Sequence, residues 1–339
     1  MHDSLIALYK VLFSEEPLKV TPLTAHASNR QMFRMVGPAR SVIGVVSPNR
    51  FENRAFCEFT AHFRKHGLPV PLIHGLDAEA GLYIEEDLGN ETLFDVLSAR
   101  RSAPGTMPAE VESLYVKAVQ ILPRFQVVAG RTLDYELCYP RRAYDRDSKL
   151  WDMRFFRDSF LRRTGVAFDE SALEADFERF GDFLELAPAD FFMYRDFQSR
   201  NIMVRDGELF FIDYQGGRRG PLHYDVASLL YQSKANIPAD ARMRILEAYL
   251  AAIGEFVPVE RTSFVEHLHA FVLVRLLQVL GTYGEQGLHL KKSYFIESIP
   301  YAVKNLRVLL PDLGFMRVLP ELGRIFEELV QFYGGEELK

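Results

Sequence analysis

Two acidic residues and one amide form the pattern in this sequence with the clearest chemical use. Residues 194–201 read YRDFQSRN, which places Asp196 five positions before Asn201, and Asp213 follows twelve residues later. One carboxylate can orient or deprotonate an attacking hydroxyl, while carboxylate and amide oxygens hold Mg²⁺ on nucleotide phosphates. The pattern therefore predicts phosphoryl transfer, with Asp196 as the base and with Asn201 and Asp213 as metal ligands.

An apolar hairpin must bring these residues together. Residues 202–204 (IMV) and 209–212 (LFFI) flank Asp206 and Gly207, a dipeptide typical of a tight hairpin turn. The hairpin would return the chain to the loop that carries the base. An isolated Arg-Asp-x-x-x-x-Asn also fits a simpler role, because an aspartate can cap a helix or a turn. The catalytic interpretation is favoured because carboxylates at the ends of apolar strands are costly unless they bind something.

The first ninety residues predict a small, sheet-rich unit. Residues 31–36 (QMFRMV) and 41–46 (SVIGVV) are predicted strands joined by a turn that contains Gly37 and Pro38. Residues 52–66 are a predicted helix, because three phenylalanines recur on one face at three- and four-residue steps. The unit therefore alternates strands with a helix.

Beyond Gly89 the sequence becomes mainly helical. We therefore predict an α+β fold with a small sheet-rich N-lobe and a larger, mainly helical C-lobe. The expected domains are a nucleotide-binding lobe at residues 1–88 and a catalytic and substrate lobe at residues 89–339. The first thirteen residues have apolar residues at helical spacing and predict a short amphipathic helix rather than a signal peptide.

Composition limits the compartment and the partners. The chain has 339 residues, a net charge of −6 and two widely separated cysteines, Cys57 and Cys138. An acidic balance disfavours nucleic-acid binding, and the cysteine spacing fits neither a disulfide framework nor a zinc site. The most apolar helical stretch, AFVLVRLLQVLG, is interrupted by Arg275. We expect a cytoplasmic monomer or weak dimer that acts on a small molecule, without nucleic acid or membrane.

The core motifs resemble a known superfamily. Residues 194–203 (YRDFQSRNIM) and 210–230 (FFIDYQGGRRGPLHYDVASLL) are similar to the catalytic core of aminoglycoside phosphotransferases and choline kinases. More narrowly, the chain resembles bacterial kinases that phosphorylate N-acetylmuramate and N-acetylglucosamine at the anomeric hydroxyl. Residues 86–89 (EDLG), 150–156 (LWDMRFF) and 275–281 (RLLQVLG) extend the resemblance over about residues 28 to 310.

The resemblance implies a protein-kinase-like fold, ATP and Mg²⁺ as cofactors, and a sugar 1-phosphate product for cell-wall recycling. It implies that Asp196 is the catalytic base beside a second catalytic residue, Arg195. Glu86 and Asp87 match the hinge segment in which adenine is expected to bind backbone groups. Asp225 matches an aspartate that braces the catalytic loop, although it also fits a helix N-cap.

Two features of the N-terminal sequence bear on nucleotide binding. Ser28, Asn29 and Arg30 precede the first predicted strand, in the place of a phosphate-covering loop, but a glycine-rich fingerprint is missing and an ordinary turn fits equally well. The strand at 41–46 also lacks the lysine that protein kinases place there. Arg30 or Arg34 could supply the missing positive charge.

Either Glu52 or Glu58 on the following helix could pair with that positive charge.

The missing lysine also supports an alternative without turnover, a nucleotide-binding regulatory module. A second alternative is a kinase of aminoglycosides or choline, but such cationic acceptors need a carboxylate cluster. Arg218 and Arg219 argue mildly against it, and the absence of Asp-Phe-Gly argues against a protein kinase.

Two further features have open interpretations. The segment 216–220 (GGRRG) is most simply a solvated loop, although its arginines could bind a carboxylate such as the lactyl group of muramate. Trp151, the single tryptophan, could stack on a sugar ring, but a tryptophan close to several phenylalanines more often belongs to the core.

Overall fold

The computed structural model describes residues 2–23 and 30–333. Its described N-terminal residues form one antiparallel sheet with two helices. The sheet has the order β1-β2-β3-β5-β4. In chain order the elements are α1 (His2–Phe13), β1 (Lys19–Leu23), β2 (Gln31–Val36), β3 (Ser41–Val46), α2 (Arg50–Lys65), β4 (Ile73–Asp77) and β5 (Leu82–Glu86).

The alternation of side chains along β3 and β5 explains why each helix packs on its own face of the sheet. Val42 and Ile84 lie in a small apolar cluster with Leu5 and Tyr9 of α1. The neighbouring strand residues, among them Ile43, belong to the main core together with Phe56, Phe59 and Phe63 of α2. The predicted strands at 31–36 and 41–46 are confirmed with those bounds, and the predicted helix begins at Arg50 after its cap, Asn49.

The remainder is mainly helical, as predicted. Up to Tyr333, four short strands form two separate pairs within it, β6 with β9 and β7 with β8. The strands are β6 (Phe191–Met193), β7 (Ile202–Arg205), β8 (Glu208–Phe211) and β9 (Arg218–Gly220). The helices are α3 (Leu93–Arg100), α4 (Ala109–Pro123), α5 (Arg146–Phe155), α6 (Arg162–Thr164), α7 (Glu170–Leu184), α8 (His223–Leu230), α9 (Ala239–Gly254), α10 (Arg261–Tyr283), α11 (Ser293–Ile296), α12 (Ile299–Leu309) and α13 (Pro320–Tyr333).

The predicted hairpin is confirmed. Strands β7 and β8 pair in register from Ile202 with Phe211 to Arg205 with Glu208. Asp206 and Gly207 both have positive φ, 54° and 79°, which is the backbone geometry that the Asp-Gly signal predicts. The chain therefore leaves the hairpin at Ile212 beside Asn201, the residue that precedes β7: the amide of Ile212 donates to the carbonyl of Asn201 over 3.0 Å.

The interpretation of residues 216–220 as a solvated loop is wrong. Arg218–Gly220 forms β9 against β6, and the Arg218 side chain is buried. The neighbouring glycine reflects close packing rather than flexibility, because a Cβ at Gly217 would lie 2.3 Å from Cζ of Phe192. The segment is thus a packed part of the C-lobe.

Helix α10 is the central helix of the C-lobe. Together with the turn that follows it, the stretch Arg261–His289 is long and apolar enough to cross a membrane, but 67% of its most apolar window is buried inside the protein. Its buried residues contact the main core, and the charged Arg275 lies within them. Such burial identifies α10 as a core helix, so its apolar sequence serves packing.

Candidate active site

Asp196 lies on a loop whose backbone amides are hydrogen-bonded to a buried carboxylate. Asp225, on α8, is fully shielded from solvent and accepts hydrogen bonds from the backbone amides of Tyr194 (2.9 Å) and Arg195 (2.8 Å). Gln126 donates a third hydrogen bond to the same carboxylate, over 2.9 Å. Because Arg195 has a left-handed backbone with φ of 75°, the loop needs such support. Asp225 therefore fixes the position from which Asp196 projects.

The three residues that sequence spacing singled out meet at one point. The side-chain amide of Asn201 donates to the backbone carbonyl of Asp196 over 2.8 Å and to Oδ2 of Asp213 over 3.2 Å. Asp213 follows β8 and also has a positive φ, 68°. The loop and the hairpin together thus deliver one amide and two carboxylates to the same site.

The donor set fits Mg²⁺ bound jointly with phosphates. The described residues contain no cluster of three or more His, Cys, Asp or Glu side chains that could hold a metal alone. Mg²⁺ is commonly held by one or two protein ligands together with substrate phosphates and water, and Asn201 and Asp213 supply such a pair. Burial raises the pKa of Asp213 to about 6, with Arg30 opposing the rise and Asp196 adding to it. A bound cation would relieve this repulsion between carboxylates.

Arg30 lies between two acidic residues of the site. Its guanidinium lies 2.6 Å from Glu52 of α2 and 3.7 Å from Oδ1 of Asp213. Glu85 is a further acidic neighbour, and burial raises its pKa to about 8, with Arg30 opposing the rise. Of the two glutamates considered from sequence, the structure pairs Glu52 with this cation. We call these residues the nucleotide side: Arg30, Glu52, Glu85 and Asp213.

Arg34 lies elsewhere. Its guanidinium donates to both carboxylate oxygens of Asp87 (2.7 and 2.9 Å) and to the backbone carbonyl of Gly89. Burial would raise the pKa of Asp87, but hydrogen bonds from Arg34 and Ser41 outweigh it and hold that pKa below its ordinary value. Arg34 therefore stabilises the connection between the lobes and is not brought to Asp213.

The side chain of Glu86 also has a structural partner. One carboxylate oxygen accepts from Arg205 over 2.8 Å and the other accepts from the amide of Leu72 over 3.1 Å. Glu86 thus joins the end of β5 to the β7–β8 hairpin. Ser28 and Asn29, predicted to cover the phosphates, lie outside the described residues.

A second cluster of charged side chains, which sequence spacing alone did not predict, lies beside Asp196. Nη2 of Arg275 is 3.3 Å from Oδ1 of Asp196, and its Nε donates to Ser228 over 3.2 Å. Asp152 is buried nearby and accepts from the hydroxyl of Tyr144 over 2.7 Å. Burial raises the pKa of Asp152, and three arginines oppose that rise. We call this group the acceptor side: Asp152, Arg195, Asp196, Arg218 and Arg275.

One sequence signal pointed to this group. A lone arginine inside an apolar helix must be paired or bind something, because an isolated buried charge is costly. Arg275 is such a residue, but its partner Asp196 is 79 positions away.

Trp151, which precedes Asp152 in the sequence, is 53% exposed and stacks on Phe155 with ring centroids 5.1 Å apart. The interpretation of Trp151 as a core residue is therefore wrong.

Comparison with known proteins agrees with the geometry. Residues 19–263 match the family described as the phosphotransferase enzyme family. The chain is 28% identical over 324 residues to an N-acetylmuramate/N-acetylglucosamine kinase of Pseudomonas aeruginosa, covering 93% of this chain and 90% of that protein. A kinase of the same name from Pseudomonas putida is 25% identical over 322 residues, covering 91% and 88%.

Solved structures show the same fold at low identity. Choline kinase LicA from Streptococcus pneumoniae has a TM-score of 0.60 at 16% identity, covering 91% of this chain and all of that one. A gentamicin complex of the aminoglycoside phosphotransferase APH(2")-IIa has a TM-score of 0.62 at 12% identity, covering 88% and 95%. The predicted protein-kinase-like fold is confirmed. With a catalytic loop, a hairpin and a family match that spans most of its length, the chain belongs to the phosphotransferase enzyme family and is a kinase.

Proposed function

We propose that this chain transfers the γ-phosphoryl group of Mg-ATP to the anomeric hydroxyl of an N-acetylated cell-wall amino sugar. The observation that carries the proposal is the convergence of Asp196, Asn201 and Asp213 on a loop braced by Asp225. A protein that only bound nucleotide would have no use for a base held in this way. The retained base therefore disfavours a regulatory module without turnover.

In the proposed reaction the acceptor oxygen forms a bond to the γ-phosphorus. The bond from that phosphorus to the β,γ-bridging oxygen breaks, and ADP leaves. Asp196 accepts the proton of the acceptor hydroxyl, and Arg275 fixes the orientation of its carboxylate. Mg²⁺ held by Asn201 and Asp213 would neutralise charge on the phosphates. Positioning and electrostatic stabilisation supply most of the rate acceleration.

On the nucleotide side, Arg30 is proposed to contact the phosphates in place of the missing lysine. Glu52 positions its guanidinium through the 2.6 Å ion pair. Ser28 and Asn29 are proposed to approach the phosphates next to it. Residues 86–89 are proposed to bind adenine through backbone groups, while the side chains of Glu86 and Asp87 hold that segment in place.

Two lobes are proposed to meet near residue 88, with nucleotide bound by residues 1–88 and acceptor bound by residues 89–339. Arg195 is proposed as a positioning residue, because its backbone amide joins the loop to Asp225. Trp151 offers an exposed aromatic face for a sugar ring. The product would be a sugar 1-phosphate used in cell-wall recycling in the cytoplasm, made by a monomer or weak dimer.

The acceptor class is supported by the names of the two Pseudomonas relatives. The rival acceptors, choline and aminoglycosides, are cations. Because the guanidinium groups of Arg195, Arg218 and Arg275 lie near Asp196, the acceptor side would repel cations. The structures of choline and aminoglycoside kinases therefore support the fold, and the charges near Asp196 favour an uncharged or anionic acceptor.

The proposal is tested by ADP release from Mg-ATP with a panel of acceptors: N-acetylmuramate, N-acetylglucosamine, glucose, choline and kanamycin. We expect turnover with the N-acetylated sugars, and a product that is stable to alkali but labile to mild acid, as glycosyl phosphates are. Turnover with choline or kanamycin alone would keep the mechanism and overturn the acceptor. Nucleotide binding without turnover of any acceptor would favour the regulatory module.

A further inference from the structure

Arg218 has hydrogen-bonding capacity that the protein leaves unused. Its side chain is only 3% exposed, although it carries a full positive charge on β9. Its Nε donates to the backbone carbonyl of Gly216 over 3.1 Å. Among the residues that the structure describes, its buried Nη2 has no hydrogen-bond partner. Because an unpaired buried donor is costly, such a group is a candidate for ligand binding.

The charges around Arg218 do not balance. The acceptor side contains three guanidinium groups, those of Arg195, Arg218 and Arg275, but only two carboxylates, those of Asp152 and Asp196. Burial lowers the pKa of Arg218 to about 10, and repulsion from Arg195 adds to the effect. The group as a whole would be stabilised by one more negative charge.

We propose that Arg218 binds a carboxylate on the acceptor and thereby makes the enzyme prefer N-acetylmuramate to N-acetylglucosamine. The inference rests on the proposed function, since it assumes that the sugar hydroxyl lies at Asp196. The two sugars differ by a lactyl ether on C3, which adds a carboxylate two ring carbons from the anomeric centre. A carboxylate at that distance reaches the groups beside the base, and arginine is suited to bind it with two parallel hydrogen bonds.

The adjacent arginine provides a matched control. Successive residues of a strand point to opposite sides, and Arg219 is exposed where Arg218 is buried. Its guanidinium lies 3.4 Å from Asp190 and 4.4 Å from the ring centroid of Tyr135. Replacing Arg219 removes the same charge from the same strand without touching the acceptor side.

The test compares kcat/KM for the two sugars in the wild type, Arg218→Met and Arg219→Met. Arg218→Met removes a charge-assisted pair with the carboxylate of N-acetylmuramate. We therefore expect the kcat/KM for N-acetylmuramate, divided by that for N-acetylglucosamine, to fall by about 10- to 100-fold. Arg219→Met should leave the ratio unchanged. An equal loss for both sugars with a raised KM for ATP would overturn the proposal and place Arg218 on the transferred phosphoryl group.

A ligand-side test avoids any variant that fails to fold. The wild-type enzyme is assayed with N-acetylmuramate and with its methyl ester, which keeps the shape but removes the charge. We expect kcat/KM to fall about 10-fold or more for the ester. Equal values for acid and ester would overturn the role of Arg218 while leaving the sugar kinase intact. Turnover of neither sugar nor ester would contradict the proposed function itself.

Discussion

The nucleotide side and the acceptor side meet at the catalytic loop and use the same kinds of side chain in opposite proportion. On the nucleotide side, Arg30 faces the carboxylates of Glu52 and Asp213, while the high pKa of Glu85 keeps that residue neutral near pH 7. Among these four residues, the ionised carboxylates therefore outnumber the guanidinium groups by one. On the acceptor side the guanidinium groups are in excess by one.

The opposite imbalances indicate which ligand each side is built to accept. A surplus of carboxylate favours a bound cation, as expected where Mg²⁺ accompanies nucleotide. A surplus of guanidinium favours an anion, as expected for an acceptor with a carboxylate. Arg34 shows what a purely structural arginine looks like here, because Asp87, Gly89 and Asn90 together accept from all three of its nitrogens.

The largest effect is expected when the nucleotide side loses Asp213, its proposed metal ligand. Asp213→Ala should remove Mg²⁺-dependent nucleotide binding and reduce kcat/KM by at least about 1,000-fold, because phosphoryl transfer relies on metal-assisted charge neutralisation. Calorimetric titration with Mg-AMP-PNP measures the binding. Unchanged Mg²⁺-dependent affinity would remove Asp213 from the metal site.

The next largest effect is expected for Asp225, which holds the loop that carries Asp196. Asp225→Ala leaves the amides of Tyr194 and Arg195 and the side chain of Gln126 without their acceptor. We expect the free energy of unfolding to fall by about 3 kcal/mol and turnover to fall at least 100-fold. Urea unfolding and steady-state assays measure the two effects. Asp225→Asn is the matched control, since it keeps one acceptor oxygen and should lose less of both.

Arg30 and Arg34 can be compared directly. Arg30→Met should raise KM for ATP by about 10- to 100-fold, because it removes a charge-assisted contact to phosphate. Arg34→Met should change KM for ATP by less than about 3-fold while lowering the melting temperature, since its partners belong to the connection between lobes. Equal effects of the two variants on KM would break the distinction between a ligand-binding and a structural arginine.

The smallest effect concerns the neutral state of Glu85. Its pKa of about 8 in the folded protein exceeds the ordinary value of 4.5, mainly because it is buried. The folded state therefore binds the proton more tightly than the unfolded state, and stability should fall as pH rises from about 5 to 9. The expected loss is on the order of 3 kcal/mol.

Glu85→Gln removes this titration and serves as the reference for urea unfolding at pH 5, 7 and 9. Relative to the variant, the wild type should become less stable as pH rises. Parallel stability curves for the two proteins would show that Glu85 is already ionised, and the surplus of carboxylate on the nucleotide side would then be larger than one.

Local sequence patterns predicted the parts of the site that depend on short-range geometry. Asn201 follows Asp196 by five residues and is hydrogen-bonded to it within one loop. The Asp-Gly turn at 206–207 joins the paired strands β7 and β8, where the hairpin was predicted. Strands β2 and β3 were likewise predicted from two short apolar-rich segments on either side of a turn at Gly37 and Pro38. Such patterns work because the interactions that decide them lie within a few positions along the chain.

Long-range pairing decided what the sequence did not predict. Residues 216–220 have the composition of a loop, but β9 forms because β6, some 27 residues earlier, lies beside it. The ion pair of Arg275 with Asp196 likewise joins distant segments. Two arginines were candidates for phosphate binding, and only the folded arrangement distinguishes Arg30, which lies beside Asp213, from Arg34, which pairs with Asp87.

The central claim is that Asp196 acts as the base between two preassembled sides. It is tested most directly by measuring ADP release and Mg-AMP-PNP binding for Asp196→Asn beside the wild type, with N-acetylmuramate as acceptor. We predict that nucleotide affinity stays within about 3-fold while kcat falls by about 100- to 10,000-fold, the range expected for loss of a general base. Turnover close to that of the wild type would contradict the account.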